Sequence, residues 1–373
     1  MRLKKRTKYI ILITVGLLVS LFLYGRNIFE NDKQQFLDIK ILAVNGKISD
    51  AINKIDKREE SIFPPINTAY NKWVKNFDSR FITKDEVIEN TSGNKIINDI
   101  SNIYCDYWRT ELLKNDPKNS TDTVLYKNLT DYLLSNELTN LSKDSLSKTI
   151  RNRSLFRDII KKEGFKTKFL YRNGFQDLLI WDKESTKKYE VTLPKDTIYT
   201  TVVFIESFHL NSYQDYATFG YSQVGGWAMK ESATLYCNKK DYDLNSEKFK
   251  ISYLKHESLH FTDLNKYPNL SITDLEYRAK IVELMHCTEK TIYARIAEFL
   301  NGANSSDRSH SHPYANYSII KNLSKILFNS DFENNINKWK EISVEKINAT
   351  SLKLLEESNA FLDKNLETDK VIN

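Results

Sequence analysis

The pentapeptide HESLH at residues 256–260 combines residue types and a spacing that suit metal chemistry. On an α-helix, side chains four residues apart lie on one face, so His256 and His260 can direct two imidazole nitrogens at one metal ion. Glu257 stands beside them, where a carboxylate can accept a proton from water and later deliver it to a leaving group. The pattern therefore predicts a zinc site with Glu257 as the general base.

A catalytic zinc ion takes three protein ligands and keeps a fourth position for water, so a third ligand must come from elsewhere in the chain. Glu276 and Glu283 follow His260 in a stretch, Thr273–His286, whose pattern predicts a helix. Asp263 lies three residues after His260 and could reach the same ion from the motif's own helix. Glu276, Glu283 and Asp263 are the candidates for the third ligand.

The start of that second helix decides whether the carboxylate of Glu276 is available. Thr273 and Glu276 have the spacing of a capping box, in which the glutamate bonds to backbone N–H groups at the helix start. If Ser271 is the cap instead, Asp274 takes the part of the acid and Glu276 is left free. The sequence leaves both starts open.

An HExxH helix followed by a glutamate-bearing helix resembles the gluzincin class of zinc metallopeptidases. The resemblance implies that His256, His260 and Glu276 bind zinc, and that Glu257 activates the water that attacks a peptide bond. It also implies that the strand predicted at Ala233–Cys237 is the edge strand along which an extended peptide binds. Pairing of this kind supplies main-chain hydrogen bonds to many different peptide sequences.

The resemblance covers about residues 220–320 and departs from the family's pattern in one place. Gluzincins often carry an acid one helical turn after the ligand glutamate, where it orients a histidine, whereas this chain has Lys280 there. Because metal-bound histidine normally donates to a carboxylate, Asp263 or Asp274 is predicted to supply that group.

A hydrolase of this class also needs hydrogen-bond donors for the negative charge that develops on the carbonyl oxygen. The segment 307–317, which precedes and enters a predicted helix, contains two histidines and two tyrosines. By resemblance, His312 and then Tyr317 are the predicted donors. The same composition also suits an ordinary solvent-exposed loop.

The sequence pattern changes along the chain from helical spacing to predicted strands. The elements that must position the candidate site residues lie after that change. Residues 27–160 carry apolar residues at helical spacing, which predicts a helical region. After about residue 165, runs of β-branched and aromatic residues between turn residues predict strands. The strands are predicted at Lys166–Tyr171, Leu178–Trp181, Lys188–Leu193, Thr197–Phe208 and Ala233–Cys237.

The expected fold class is therefore α+β. Residues 161–373 are predicted to form a zincin-like domain with a small sheet, the motif-bearing helix and C-terminal helices. No residue pattern in the helical region at 27–160 points to chemistry, so that region is predicted to support the rest.

The first 26 residues predict a membrane anchor. They contain six basic residues and no acid, and residues 9–24 form an uninterrupted uncharged stretch. No small-residue cleavage site follows, which favours an uncleaved signal anchor over a cleaved signal peptide. Positive charge stays on the cytoplasmic side, so the rest of the chain is expected in a periplasm or at a cell surface, or secreted if the segment is cleaved.

The charge balance argues against a nucleic-acid partner. The chain has 55 Lys and Arg against 49 Asp and Glu, and six of the basic residues lie in the first 26, which leaves 55 − 6 = 49 against 49. A nucleic-acid-binding domain carries a basic excess. The three cysteines show no disulfide-framework spacing, so one disulfide with a free thiol and three buried thiols are both compatible with the sequence.

Together these features predict a membrane-anchored, extracytoplasmic zinc hydrolase, and specifically a metallopeptidase that acts on a peptide or protein. Two alternatives stay open. The large helical share also suits an anchored helical scaffold or binding protein, in which the two histidines are ordinary helix residues. A zinc ion that only holds two helices together would give the same motif without catalysis.

Overall fold

The computed structural model describes residues 25–372 apart from 27, 30, 59–63, 87–91, 115–121, 152, 230 and 231. The anchor predicted at residues 1–26 lies almost entirely outside the described residues. Within the described ranges, no helix combines the length and the apolar character that crossing a membrane requires. The chain forms a mixed α+β fold, which confirms the predicted fold class at this level.

The fold divides into two compact units. The first comprises Met1–Asp182 and Ser207–Val224, and the second comprises Lys183–Glu206 and Gly225–Asn373. Each unit has its own hydrophobic core. The sequence places the division near residue 160, whereas the first unit also contains a strand pair and a short returning segment beyond that point.

The first unit is built mainly from helices, which bury apolar side chains set at helical spacing. Trp108 is fully buried in this core, and Asn94 caps its helix by accepting from the backbone N–H of Ile97. The helices are α1 (31–44), α2 (Ile48–Asp56), α3 (Pro64–Phe77), α4 (Lys95–Glu111), α5 (Thr123–Ser135), α6 (Lys143–Thr149), α7 (Ser154–Lys162) and α8 (Ser212–Thr218).

A three-stranded antiparallel sheet completes the first unit, in the order β1 (Lys166–Arg172), β2 (Phe175–Trp181), β5 (Phe208–Asn211). Asn173 and Gly174 link β1 to β2, and both have positive φ (49° and 84°), which an Asn-Gly hairpin turn accommodates with little strain. β1 and β2 confirm two predicted strands. β5 was missed, because four residues give too short a pattern.

The second unit contains a four-stranded sheet in the order β3-β4-β7-β6, made of β3 (Glu184–Thr192), β4 (Thr197–Ile205), β6 (Gly226–Met229) and β7 (Thr234–Asn238). β4 and β7 run parallel, and the two outer pairs are antiparallel. The prediction that Ala233–Cys237 forms an edge strand is wrong, because β7 pairs with β4 on one side and with β6 on the other. The edge strand beside β7 is β6.

β6 approaches β7 closely because it begins with a glycine. A Cβ at Gly226 would lie 2.5 Å from the carbonyl oxygen of Tyr236 and 3.2 Å from the hydroxyl of Tyr253. Any side chain at this position would therefore push β6 away from its partner. The glycine is visible in the sequence, but the four-residue strand that it permits is not.

The helices of the second unit carry the HExxH motif. Among them α11 has 12 of its 15 residues buried, and it packs against α10, α13 and α15. It confirms the helix predicted at Thr273–His286. The helices are α9 (Glu247–Phe249), α10 (His256–Lys266), α11 (Ile272–His286), α12 (Ile292–Asn301), α13 (Ser311–Phe328), α14 (Ile336–Trp339) and α15 (Val344–Lys364). The three cysteines of the chain are buried free thiols, which was one of the two expected outcomes.

Candidate metal centre

The motif lies at the start of α10, directly after a π-helical turn at Lys250–Lys255. Inside the motif, the hydroxyl of Ser258 forms a buried hydrogen bond of 2.8 Å with the hydroxyl of Thr200 in β4. This bond attaches one face of α10 to the sheet. Because side chains on a helix keep fixed angular offsets, it also directs His256 and His260 toward α11.

The start of α11 leaves Glu276 free to face α10. Ser271 is the cap, because its side chain accepts a hydrogen bond from the backbone N–H of Asp274. The buried Asp274 carboxylate accepts from Ser271 and from two backbone N–H groups near the C-terminus. Of the two starts that the sequence leaves open, the structure has the one without a Thr273 capping box.

Three of the predicted ligands converge between α10 and α11. The Nε2 atom of His256 lies 3.3 Å from Oε2 of Glu276, and the Nε2 atom of His260 lies 3.6 Å from Oε1 of the same carboxylate. One ligand atom from each of the three residues lies within 4.8 Å of the others. Ligands placed tetrahedrally around zinc at ordinary bond lengths are about 3.3–3.4 Å apart, and the contacts of the two histidines with Glu276 are close to that spacing.

The bonding of the cluster also fits a cation. Oε2 of Glu276 is buried and has no well-formed hydrogen bond, although imidazole nitrogens surround it. Buried carboxylate oxygens in native proteins are almost always bonded, and an unsatisfied one calls for an explanation. Two histidines and one glutamate are a donor set that catalytic zinc uses, and a zinc ion would satisfy the Glu276 carboxylate.

The electrostatics of the cluster keep its carboxylate ionised. Burial would raise the pKa of Glu276, but contacts with His256, His260 and His312 hold that pKa far below its usual range. Burial would likewise lower the pKa of His256, but its close contacts with the carboxylates of Glu276 and Glu283 raise it to about 10. A metal ion must therefore displace the proton that this arrangement otherwise keeps on His256.

The two alternative ligands have other partners. Oε1 of Glu283 lies 2.7 Å from Nδ1 of His256, on the far side of the imidazole ring from Glu276. Asp263 forms a buried pair with Arg278 through two bonds of 2.7 and 2.8 Å. The prediction that Asp263 or Asp274 orients a metal-binding histidine is wrong, because Arg278 and the cap of α11 already engage these carboxylates. Glu283 contacts the histidine instead.

Glu257 is half-buried and lies next to the cluster by its place in the motif. Burial raises the pKa values of Tyr242 and Tyr253, and Cys237 and Glu257 raise them further. The Tyr253 hydroxyl donates to the carbonyl oxygen of Tyr236 at 2.8 Å. Neither tyrosine was selected from the sequence, because isolated aromatic residues before the motif have no distinguishing spacing.

The two predicted oxyanion donors occupy different surroundings. Nδ1 of His312 lies 3.0 Å from Oε2 of Glu276, and 64% of its side chain is exposed, so it stands at the solvent side of the cluster. The Tyr317 ring stacks on Phe332, with ring centroids 5.5 Å apart. Its ring also neighbours Tyr314, and its role as a donor stays a prediction.

Comparisons of the chain with known protein families, with curated proteins and with solved structures find no match. The case for a metal centre therefore depends on the motif and on the contacts of its side chains. The gluzincin resemblance stays an expectation from those residues.

Proposed function

We propose that this protein is a membrane-anchored, extracytoplasmic zinc-dependent hydrolase of the gluzincin kind, acting on peptide bonds. The observation that carries the proposal is the convergence of His256, His260 and Glu276 beside Glu257. These ligands would hold the metal through two imidazole nitrogens and one carboxylate. When bound, zinc supplies a Lewis acid for the carbonyl group and lowers the pKa of water.

The chain's own side chains supply the remaining steps. Glu257 accepts a proton from the attacking water and passes it to the leaving amine. His312, which is exposed beside Glu276, donates a hydrogen bond to the carbonyl oxygen as negative charge develops there. Tyr317 is the second candidate for that donation.

The edge strand β6 supports a peptide as the substrate. Its outer edge offers backbone N–H and C=O groups to an extended chain, while its inner edge pairs with β7. The bond from Tyr253 to the carbonyl oxygen of Tyr236 fastens the segment before His256 to β7, the strand next to this edge. Such pairing tolerates many side chains, which suits a hydrolase of peptides or unfolded proteins.

The proposed location depends on the first 26 residues. Their basic start and apolar stretch suit an anchor, and positive charge before such a stretch stays on the cytoplasmic side, which would place the rest of the chain outside the cytoplasm. Tethering would restrict the hydrolase to substrates near one membrane face.

The test uses the full chain in detergent, with zinc measured by elemental analysis and hydrolysis measured on an unfolded protein. We expect about one zinc per chain, lost in His256→Ala and in Glu276→Ala. Glu257→Gln is expected to keep zinc and to lose about 10²–10⁴-fold in hydrolysis, because only the proton acceptor is removed. Glu298→Gln, an exposed substitution in the same unit, is the matched control and should leave both unchanged.

Two results would replace the proposal with one of its alternatives. If zinc binds at full stoichiometry but wild type and Glu257→Gln hydrolyse equally well, the zinc is structural and only joins α10 to α11. A wild-type chain that takes up no zinc after reconstitution would leave an anchored scaffold or binding protein.

A further inference from the structure

Glu283 is buried with only 3% of its surface exposed, and it lies two helical turns after Glu276 on the face of α11 that meets α10. Its Oε1 atom is 2.7 Å from Nδ1 of His256. The opposite ring nitrogen of His256, Nε2, is the one that faces Glu276. The imidazole ring is therefore held between two carboxylates, one at each nitrogen.

The second oxygen of Glu283, Oε2, is buried without a well-formed hydrogen bond, and it forms an ion pair with an arginine. Nε of Arg295 lies 3.2 Å from Oε2 of Glu283, and Arg295 also donates to Ser252 at 2.5 Å in the π-helical turn before the motif. The arginine thus connects α12, α11 and the segment that leads into α10. The positive charge of Arg295 lies beside Oε2 of Glu283, while Oε1 faces Nδ1 of His256.

The chemical consequence concerns which nitrogen of His256 carries a proton. A neutral imidazole has one N–H group, and a carboxylate acceptor at Nδ1 places the proton there. The lone pair is then on Nε2, which is the atom directed at the proposed metal position. A partner of this kind fixes both the ring orientation and the tautomer of a metal ligand.

We propose that Glu283, held in place by Arg295, is the positioning residue that orients His256 for the metal. The proposal depends on the proposed zinc function and adds two residues that the motif does not contain. It also accounts for Lys280 at the position where gluzincins often carry the orienting acid. In this chain the carboxylate of Glu283 lies three residues further along α11, nearly one turn after the cation of Lys280.

The experiment measures the zinc affinity of the full chain by competition with a chelator, and the visible absorption of the cobalt-substituted protein. Glu283→Gln keeps the size of the side chain and removes its charge, and we expect it to weaken zinc binding about 10–100-fold and to change the cobalt spectrum. Arg295→Gln is expected to cause a smaller loss, because the carboxylate remains but is no longer held. Glu298→Gln removes the exposed carboxylate that pairs with the same arginine, and it is expected to change neither readout.

A double variant distinguishes a loss of His256 positioning from a loss of folding stability. Glu283→Gln alone leaves Arg295 without its buried partner, which by itself can destabilise the unit. Glu283→Gln with Arg295→Gln removes both charges, so it should regain stability and still bind zinc weakly. If the double variant recovers wild-type affinity, or if Glu283→Gln binds zinc as tightly as wild type, the positioning role is overturned while the proposed hydrolase stands. A wild-type chain that binds no zinc would overturn both.

Discussion

Two buried carboxylates, one in each unit, are buried to a similar degree but differ in their hydrogen-bonding partners. In the first unit, Asp177 accepts hydrogen bonds from the hydroxyl of Ser212 at 2.6 Å and from the backbone N–H groups of Leu178 and Tyr213 at 3.0 and 2.9 Å. In the second unit, Glu276 faces imidazole nitrogens, and its Oε2 atom lacks a well-formed hydrogen bond. Both side chains are almost fully buried.

The pKa values of the two groups move in opposite directions. Burial raises the pKa of Asp177, and its hydrogen bonds only partly offset that effect. Burial acts on Glu276 in the same direction, but the surrounding histidines lower its pKa far more. A carboxylate saturated by donors of its own unit is structural. One that is kept ionised and left partly unsatisfied among histidines has the surroundings expected of the proposed metal ligand.

A third buried carboxylate tests whether this distinction holds within one unit. Asp263 lies three residues after His260 but is paired with Arg278, which also donates to Ser358 and Asn359. Asp263→Asn should destabilise the second unit by about 3–5 kcal/mol, because it leaves a buried guanidinium without a counter-charge. Urea unfolding measures the loss. Zinc affinity of the folded variant should stay at the wild-type value, and a large drop would place Asp263 in the metal site.

Zinc itself should stabilise the protein through Glu276 and not through Asp177. At a free zinc concentration 100–1000 times the Kd, the free energy of unfolding is expected to rise by about 2.7–4.1 kcal/mol. Unfolding curves with zinc and with a chelator measure the difference. Glu276→Gln should abolish the stabilisation and Asp177→Asn should retain it in full. Equal stabilisation in wild type and Glu276→Gln would remove the contrast between the two carboxylates.

The smallest expected change in stability is that caused by Asp177→Asn. Asp177→Asn replaces one acceptor oxygen with an NH₂ group that must face Ser212 or a backbone N–H group. The unfavourable pairing should cost about 1–3 kcal/mol of stability, and hydrolysis by the folded protein should be unchanged. Thermal unfolding and an activity assay below the transition check both parts. Altered hydrolysis in a fully folded variant would mean that this carboxylate is more than structural.

Much of the fold was predictable because it depends on local patterns. The 3.6-residue spacing before residue 160 and the Asn173-Gly174 turn both specify structure within a few residues. The two possible N-caps of α11, Thr273 and Ser271, were also predictable from the sequence, although the sequence did not show which of them is used. The strands β5 and β6 were missed, because four-residue strands are defined by their partners and not by their own pattern.

The errors concern contacts between distant parts of the chain. The strand at Ala233–Cys237 was predicted at an edge, but it has a partner on each side: β4, from some thirty positions earlier, and the short strand β6. Asp263 was predicted near the metal because it follows His260 by nearly one turn. The structure gives it Arg278 on α11 instead, which no spacing within α10 could reveal.

By itself, the sequence determined that two histidines share one helical face, that Glu257 stands beside them, and that a glutamate-bearing helix follows. These are properties of helix geometry, which acts over a few residues. The sequence could not determine which glutamate of α11 meets which side of His256. Glu276 and Glu283 are seven residues apart and share one face, so only the packing of α11 on α10 places the first at Nε2 and the second at Nδ1.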